Sequence, residues 1–406
     1  MYIRRDLAQQ LNTSSAYIQV VVGPRQCGKS TLLAAPETNP LHLPLQEITF
    51  DDLQLRQLAN QDPAFFLQQF EPPLLLDEVQ YVPHLFPELK KIVDQLKRQK
   101  VFTSSSATSS KIMFRLTGSN QILLDKNMKE SLAGRATYYY LNTLTVHEIL
   151  NALPDTSIKD ILFKGGWPEL YINPQLATTT YLNDYIRTYV EKDIGLSAGI
   201  QKLSEFHTVL RLFASRTAQE VRYTEISNNS GVSSVTVKEW ASLLERADLI
   251  YFLKPYYSNL NNRLVKTPKL YFLDTGLTVR LQGWSDPTPL MSSPQIGALF
   301  ETLVLAEIVK FIRNYAKDWE LFFWRTKEKE EVDFILKTHE TIHVFESKLS
   351  IQAIPKMVVY PSAFKQHFSP KNPLMIVTYG GKKLKLSKEC EILPISELHD
   401  YLMTIK

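Results

Sequence analysis

Tyr17-Ile-Gln-Val-Val-Val-Gly23-Pro-Arg-Gln-Cys-Gly28-Lys29-Ser30-Thr31-Leu-Leu33 is the stretch on which the reading of this chain turns. Residues 17–22 are apolar and β-branched, the composition of a buried strand. The next eight residues fit G-x-x-x-x-G-K-[ST], and a helix is expected to start within them. Such a loop turns backbone N–H groups around a phosphate, and the helix behind it aims its N-terminus at the anion. Gly28 permits close approach, Lys29 reaches the β- and γ-phosphates, and Ser30 offers a hydroxyl to Mg²⁺. The candidate cofactor-binding residues are Gly23, Pro24, Arg25, Gln26, Cys27, Gly28, Lys29, Ser30 and Thr31, and the cofactors they imply are ATP and Mg²⁺. Two side chains in the loop stay open: Cys27 reads as a reactive thiol or a small filler, and Arg25 as a contact to a neighbour or substrate or as a plain surface residue.

Working outward, Leu74-Leu-Leu-Asp77-Glu78 reads as a second buried strand that ends in two acids. Strand-end carboxylates are where an α/β sheet puts its chemistry. Asp77 is expected to hold Mg²⁺ through water, and Glu78 to polarise the attacking water. A third strand, Phe114–Thr117, leads into Gly118-Ser119-Asn120. Ser119 and Asn120 are candidates to touch the γ-phosphate or the water, with a simple polar turn as the competing reading. Arg135, in Ser131-Leu-Ala-Gly-Arg-Ala, is a candidate stabiliser of transition-state charge, against an ordinary surface arginine. Strands alternating with helices predict a parallel α/β sheet over residues 1–150.

Composition sets the outer limits. The chain has 406 residues, 44% hydrophobic and 22% charged, which excludes an intrinsically disordered protein. Forty-six basic against 42 acidic residues leave +4, a balance that neither demands nor excludes nucleic acid. The 14 glycines are about half the usual share, which excludes collagen-like and Gly/Ser-rich architectures. Two cysteines, Cys27 and Cys390, cannot build a disulfide framework or a Cys-rich zinc site. The start lacks the apolar core of a signal peptide, and no run reaches the length of a membrane span. The expectation is a cytoplasmic protein with no membrane partner. Its histidines show no zinc-like spacing, and nothing marks a Ser-His-Asp triad.

Past residue 150 the pattern changes. Residues 151–205 read as a helical linker region containing the Gly165-Gly-Trp167-Pro-Glu-Leu turn. Residues 206–290 read as a winged helix: Thr224–Ile250 gives helix, turn at Gly231 and helix, and the following segment alternates like a hairpin. Between Leu249 and Leu270 lie Lys254, Arg263, Lys266 and Lys269 with no acid, interleaved with Tyr251, Phe252, Tyr256 and Tyr257. A wing of that kind can contact DNA phosphates while the helix from Ser233 enters a groove. Protein docking and core packing are the competing readings. The Tyr185–Ile194 helix, with Lys192, reads as structural.

Residues 291–406 form a third region. Glu301 falls on a helix over 297–311 that reads as amphipathic, Asp333 in a strand, and Glu346 and Lys348 in the strand Val-Phe-Glu-Ser-Lys. Asp333 and Glu346 on neighbouring strands can bridge a Mg²⁺, and Lys348 shares the face of Glu346. That order matches a PD-(D/E)xK nuclease arrangement with Glu301 as the helix acid. A surface ion-pair cluster or a relic on an interaction domain is the alternative.

These motifs together resemble a large prokaryotic family of AAA-like P-loop ATPases that carry a C-terminal domain of unknown function. The resemblance runs through GPRQCGKST, LLLDEVQ, RLTGSNQ, SLAGR, GGWPEL, VSSVTVKEW, PKLYFLDTGL and GALFETLV…EVDFIL…VFESK. It implies ATP binding and hydrolysis, with a winged helix and an α/β restriction-endonuclease-like fold after the P-loop NTPase sheet. The polar tract Thr103–Ser110 departs from the compact link expected before RLTGSN. Two functions stay open: an ATP-hydrolysing, DNA-associated protein whose C-terminal module cuts or grips nucleic acid, and an ATP-driven switch with an inert nuclease-like domain. A protein remodeller is a third, and a homo-oligomer is an expected assembly.

Overall fold

Strand β1 (Ile18–Val22) sits inside a five-stranded sheet of order β2–β3–β4–β1–β5, in which every neighbouring pair is parallel. The other strands are β2 (Gln46–Thr49), β3 (Leu74–Asp77), β4 (Phe114–Gly118) and β5 (Ala136–Tyr140). A parallel sheet is covered on both faces, and this explains the unbroken apolar runs of β1 and β3. Alternate side chains serve opposite faces: Val20, Leu74 and Leu76 enter one core, and Val21 and Leu75 enter another with Leu7, Cys27 and Leu33. The Lys29–Ala34 helix follows β1 directly, and the Leu85–Phe102 helix follows β3.

The computed structural model describes residues 1–14, 16–38, 45–102, 113–118, 132–196, 199–256, 267–326, 328, 330–349, 360–368 and 372–406. They divide into two units, Arg4–Asn142 and Thr143–Lys406 together with Met1–Ile3. The Thr103–Ser110 tract lies outside the described residues.

The second unit is built on a nine-stranded sheet of order β13–β14–β12–β11–β10–β9–β7–β8–β6. Its strands are β6 (Gln219–Glu220), β7 (Ile250–Pro255), β8 (Lys269–Phe272), β9 (Glu320–Arg325), β10 (Glu331–Lys337), β11 (Ile342–Lys348), β12 (Leu374–Thr378), β13 (Leu384–Lys385) and β14 (Cys390–Pro394). Helices Tyr223–Ser230 and Ser234–Arg246 precede β7, separated by Gly231 in the left-handed region (φ 74°) and by Ser233, whose Oγ caps the second helix at Thr236 N. β7 pairs antiparallel with β8 and parallel with β9, with Lys254 opposite Phe322. The sequence placed a boundary between residues 290 and 291; in the structure, strands from both sides share one sheet. The reason is pairing of β7 with β9, a non-local contact that no local pattern encodes.

One expectation changes. The Ile296–Asn314 helix is not amphipathic in its setting: Ile296, Leu299, Phe300, Asn314 and every residue from Thr302 to Phe311 are buried. It therefore runs through the interior of its unit, as a helix apolar on most sides should. Residues 151–205, expected as a helical linker region, carry helices Ile158–Lys164, Glu169–Ile172 and Thr178–Tyr185, and the GGWP turn among them is tied to a later turn of the same unit. Gly166 N–H donates to Asp274 Oδ2 at 2.8 Å, while Asp274 Oδ1 caps Leu277 N at 3.0 Å. A Cβ on Gly276 would stand 2.2 Å from Lys164 O. The GGWP and DTG turns thus interlock, which explains why both need glycine.

Candidate functional site

The phosphate loop is shaped by a close approach to β5, by left-handed backbone and by its own lysine. A Cβ on Gly23 would lie 2.1 Å from Leu141 O, so the loop leaves β1 in contact with the end of β5. Gln26 (φ 60°) and Gly28 (φ 91°) both take left-handed backbone. Lys29 is buried, and its Nζ donates to Gly23 O at 3.2 Å and Pro24 O at 2.8 Å. The ammonium is thereby enclosed by its own loop. Cys27 is fully buried among Leu7, Val21, Leu32 and Leu75, with Sγ 3.4 Å from Leu141 O. Its side chain is a core filler, so only its backbone remains a candidate for cofactor contact.

Asp77 ends β3 and meets Ser30 of the Lys29–Ala34 helix: Ser30 Oγ donates to Asp77 Oδ1 at 2.7 Å. Thr117 Oγ1 hydrogen-bonds the same carboxylate oxygen and accepts from Glu78 N at 3.3 Å. Glu78 adopts φ 57° and ψ 43°, unusual for a non-glycine residue, and its carboxylate accepts from Gln80 Nε2. A sharp turn at the strand end presents two consecutive acids in different directions. Ser30 and Asp77 supply hard oxygen donors side by side, the donor chemistry Mg²⁺ takes.

Arg25 reaches Tyr81 OH at 3.4 Å, and the Arg56 guanidinium lies 3.8 Å from the centre of the Tyr81 ring. Arg135 is engaged: its Nε and Nη2 bond Asp94 at 2.7 and 2.9 Å, and its Nη1 bonds Ala133 O at 2.7 Å. The hydrogen bond from Arg135 also lowers the Asp94 carboxyl from its ordinary value. As it stands, Arg135 is a bidentate partner within its own unit rather than an unpaired charge. Ser119 and Asn120 lie outside the described residues, as does the wing segment containing Tyr257, Arg263 and Lys266.

Three residues of this site escaped sequence reading. Arg5 is buried and donates to Cys27 O at 2.7 Å and Asn142 O at 2.6 Å, bracing the phosphate loop. Thr117 links Asp77 to Glu78 but is one threonine in an apolar strand. Asp51 follows β2, and its carboxyl is raised by burial and by the nearby charges of Glu78 and Asp77, against Arg25 and Arg56. Its signal is a second pair of acids, Asp51-Asp52, just after a strand.

In the second unit the structure brings the C-terminal candidates together. Asp333 lies beside an irregularity between Val332 and Ile335 in the β9–β10 pairing, next to the β11 residues Glu346 and Ser347. Bulges are frequent where a strand must re-aim a side chain. Asp333 N donates to Glu346 Oε1 at 3.3 Å, and Asp333 Oδ2 accepts from Ser347 N and Oγ, both at 2.8 Å. Lys348 Nζ donates to Glu346 Oε2 at 3.0 Å, the shared face expected of residues two apart. Burial, then the Asp333 charge, push the Glu346 carboxyl up to about 7. Burial works to lower Lys348, but Glu346 and Asp333 win and raise it.

Glu301 stands differently from its expected role. Its Oε1 accepts from Lys269 Nζ at 3.1 Å and from Tyr271 OH at 2.6 Å. Burial and the Asp333 charge still push its carboxyl up to about 7. Lys269 also pairs with Glu331. Its side chain is only 4% exposed, so the reading of Lys269 as a wing cation for DNA phosphates is corrected. It sits on β8, facing the acids, while Lys254 of β7 is exposed. Tyr256 is half-buried and packs against the core, with ring centres 5.4 Å from Phe322 and 5.2 Å from Phe368. Among the described residues, the oxygens of Glu301, Asp333 and Glu346 do not all approach within 4.8 Å of one another.

A parallel sheet whose first strand feeds a phosphate loop, with Ser30 bonded to a carboxylate at the end of β3, defines a P-loop nucleotide-binding domain. Residues 15–150 match the family model described as AAA domain, so this domain is AAA-like. Residues 155–288 and 296–398 match two further models, each a domain of unknown function (DUF8612 and DUF4143). An uncharacterised protein of Mycobacterium tuberculosis is 27% identical over 351 residues, covering 85% of this chain and 74% of that protein. One from Methanocaldococcus jannaschii is 23% identical, covering 78% and 72%. Among solved structures, the ORC2 protein of Aeropyrum pernix matches with TM-score 0.34 and 13% identity, over 72% of this chain and 96% of that one. The RuvB Holliday junction branch migration motor of Thermotoga maritima matches with TM-score 0.27 and 14% identity, over 60% and 86%. No described helix is long and apolar enough to cross a membrane.

Proposed function

We propose that the chain is an ATP-hydrolysing AAA-like protein that works on DNA through its second unit. The observation that carries the ATPase reading is the 2.7 Å bond between Ser30 Oγ and Asp77 Oδ1, one residue from Glu78. Lys29, enclosed by the carbonyls of Gly23 and Pro24, would turn its ammonium to the β- and γ-phosphates. Ser30 and Asp77 would hold Mg²⁺, directly or through water. Bound there, the ion would offset charge on the β- and γ-oxygens. Glu78 would orient the attacking water, with Gln80 and the Thr117–Glu78 bond fixing its carboxylate and backbone. Arg5 would keep the loop in shape. Equilibrium binding of a fluorescent ATP analogue tests the site: Lys29→Ala should lose it, and unchanged affinity would refute the assignment.

For the second unit, the reading carried forward is a Mg²⁺-dependent, PD-(D/E)xK-like module acting on DNA. Its support is the grouping of Asp333, Glu346 and Lys348 beside a bulge. Asp333 and Glu346 would hold the ion, Lys348 would steady the attacking water or the developing phosphorane charge, and Glu301 would act from the helix. A second reading, an inert module that grips a partner, is favoured by one contact set: Lys269 and Tyr271 both donate to Glu301. Incubation of DNA with Mg²⁺ decides between them. Cleavage that Asp333→Ala and Lys348→Ala abolish supports the first; absence of cleavage favours the second.

A further inference from the structure

The π-helical segment Ile186–Leu196 forms one wall of an open cavity of about 390 Å³ that belongs wholly to the second unit. π-Helical turns are rare and recur at functional sites, because the i→i+5 pattern re-aims side chains. Here Arg187 and Glu191 both reach the cavity from that segment. Arg211, from the Leu203–Ser215 helix, and Arg280, from the Thr275–Leu281 helix, line it as well. Three arginines therefore line one hollow.

Their bonding leaves them charged and available. Arg280 Nε donates to Asn183 Oδ1 at 2.6 Å and its Nη1 to Trp284 O at 3.1 Å. Arg211 Nε donates to Leu281 O at 3.3 Å. These partners are neutral, so they orient the forks without cancelling their charge. Among the described residues Arg187 has no hydrogen-bond or ion-pair partner. The one acid on the wall, Glu191, is bonded to His207. Gly283, at φ 93° on the rim, would place a Cβ 3.9 Å from Arg211 Nη2.

We infer that this cavity binds a small anionic ligand carrying a diphosphate or an equivalent cluster of phosphate oxygens. The volume lies within the roughly 300–1,000 Å³ of small-molecule pockets. Planar guanidinium forks match phosphate oxygens in pairs. Three such cations against one engaged carboxylate call for more negative charge than a single carboxylate brings. The site is separate from the phosphate loop, since every lining residue lies between Asn183 and Gly283.

Calorimetric titration of pyrophosphate into the full-length Lys29→Ala protein tests this, because the loop lysine is then gone. Saturable binding is expected, weakened about tenfold or more by adding Arg187→Ala, the loss of a charge-assisted contact. Arg187 is exposed and has no partner among the described residues, so its substitution should leave the melting temperature unchanged. In the wild-type background, Arg187→Ala should weaken one of two classes of site and spare the Lys29-dependent one. A single-stranded DNA oligonucleotide is the second probe. No saturable pyrophosphate binding would overturn the inference, as would affinity unchanged by Arg187→Ala. Oligonucleotide binding that depends on Arg187 but is not displaced by pyrophosphate would overturn it in favour of a nucleic-acid backbone.

Discussion

Lys269 Nζ lies 3.1 Å from Glu301 Oε1, joining β8 to the long buried helix of the same unit. The lysine side chain is 4% exposed and the glutamate 16%, so neither can exchange its partner for water freely. Removing one member of a buried pair strands the other, at a cost of about 3–5 kcal/mol. Lys269→Met should therefore destabilise the protein by that order in urea unfolding. Adding Glu301→Gln should recover part of the loss, since Glu331 also loses its partner. Equal stability of Lys269→Met and wild type would show that the pair is not held as described.

The interlocked turns give a contrast within one residue type. Gly276→Ala would drive a Cβ to 2.2 Å from the Lys164 carbonyl, and Gly166→Ala to 2.3 Å from that of Leu144. Backbone must move in both, and overpacking of this kind costs about 1–3 kcal/mol or more. Gly297, near the start of a helix, has nothing within 4 Å of its Cβ position. Gly297→Ala should be neutral or stabilising by up to about 1 kcal/mol, since alanine is the better helix former. Thermal melts of the three variants should rank accordingly.

Stability should also carry a pH signature from Glu307. Its carboxyl is pushed up to about 7 by burial, against Lys310 and the Val146 N–H, which donates to Oε2 at 2.8 Å. The folded protein therefore holds this proton more tightly than the unfolded chain. The associated stability is complete below the unfolded value of about 4.5 and is lost as pH rises towards 7. Glu307→Gln cannot titrate, so its unfolding free energy should fall less steeply across that window. Parallel slopes for the two proteins would contradict the burial argument.

How much of this was legible beforehand depends on the range of the interactions. The phosphate loop, Asp77 and Glu78 are encoded within a few residues of a strand end, and they fall where local pattern puts them. Glu346 and Lys348 are two apart on one strand, so their shared face needs only the period of a strand. Lys269 was misread because charge counting along a segment cannot see that β8 turns it towards Glu301. Arg5 and Thr117 gave no signal because their partners, Cys27, Asn142 and Asp77, are brought to them by folding. The arginine cavity gave no signal for the same reason: helices Tyr223–Ser230 and Ser234–Arg246 and strands β6, β7 and β8 separate Arg280 from Arg187 and Arg211, and only the packed unit assembles them.

The central claim is that Glu78 activates water for ATP hydrolysis at the Ser30–Asp77 site. Steady-state ATP turnover by the Glu78→Gln protein, with nucleotide binding measured on the same sample, tests it most directly. The account predicts retained ATP binding with turnover reduced by about a hundredfold or more, the usual range for losing a positioned general base. Turnover equal to wild type, with binding intact, would contradict it.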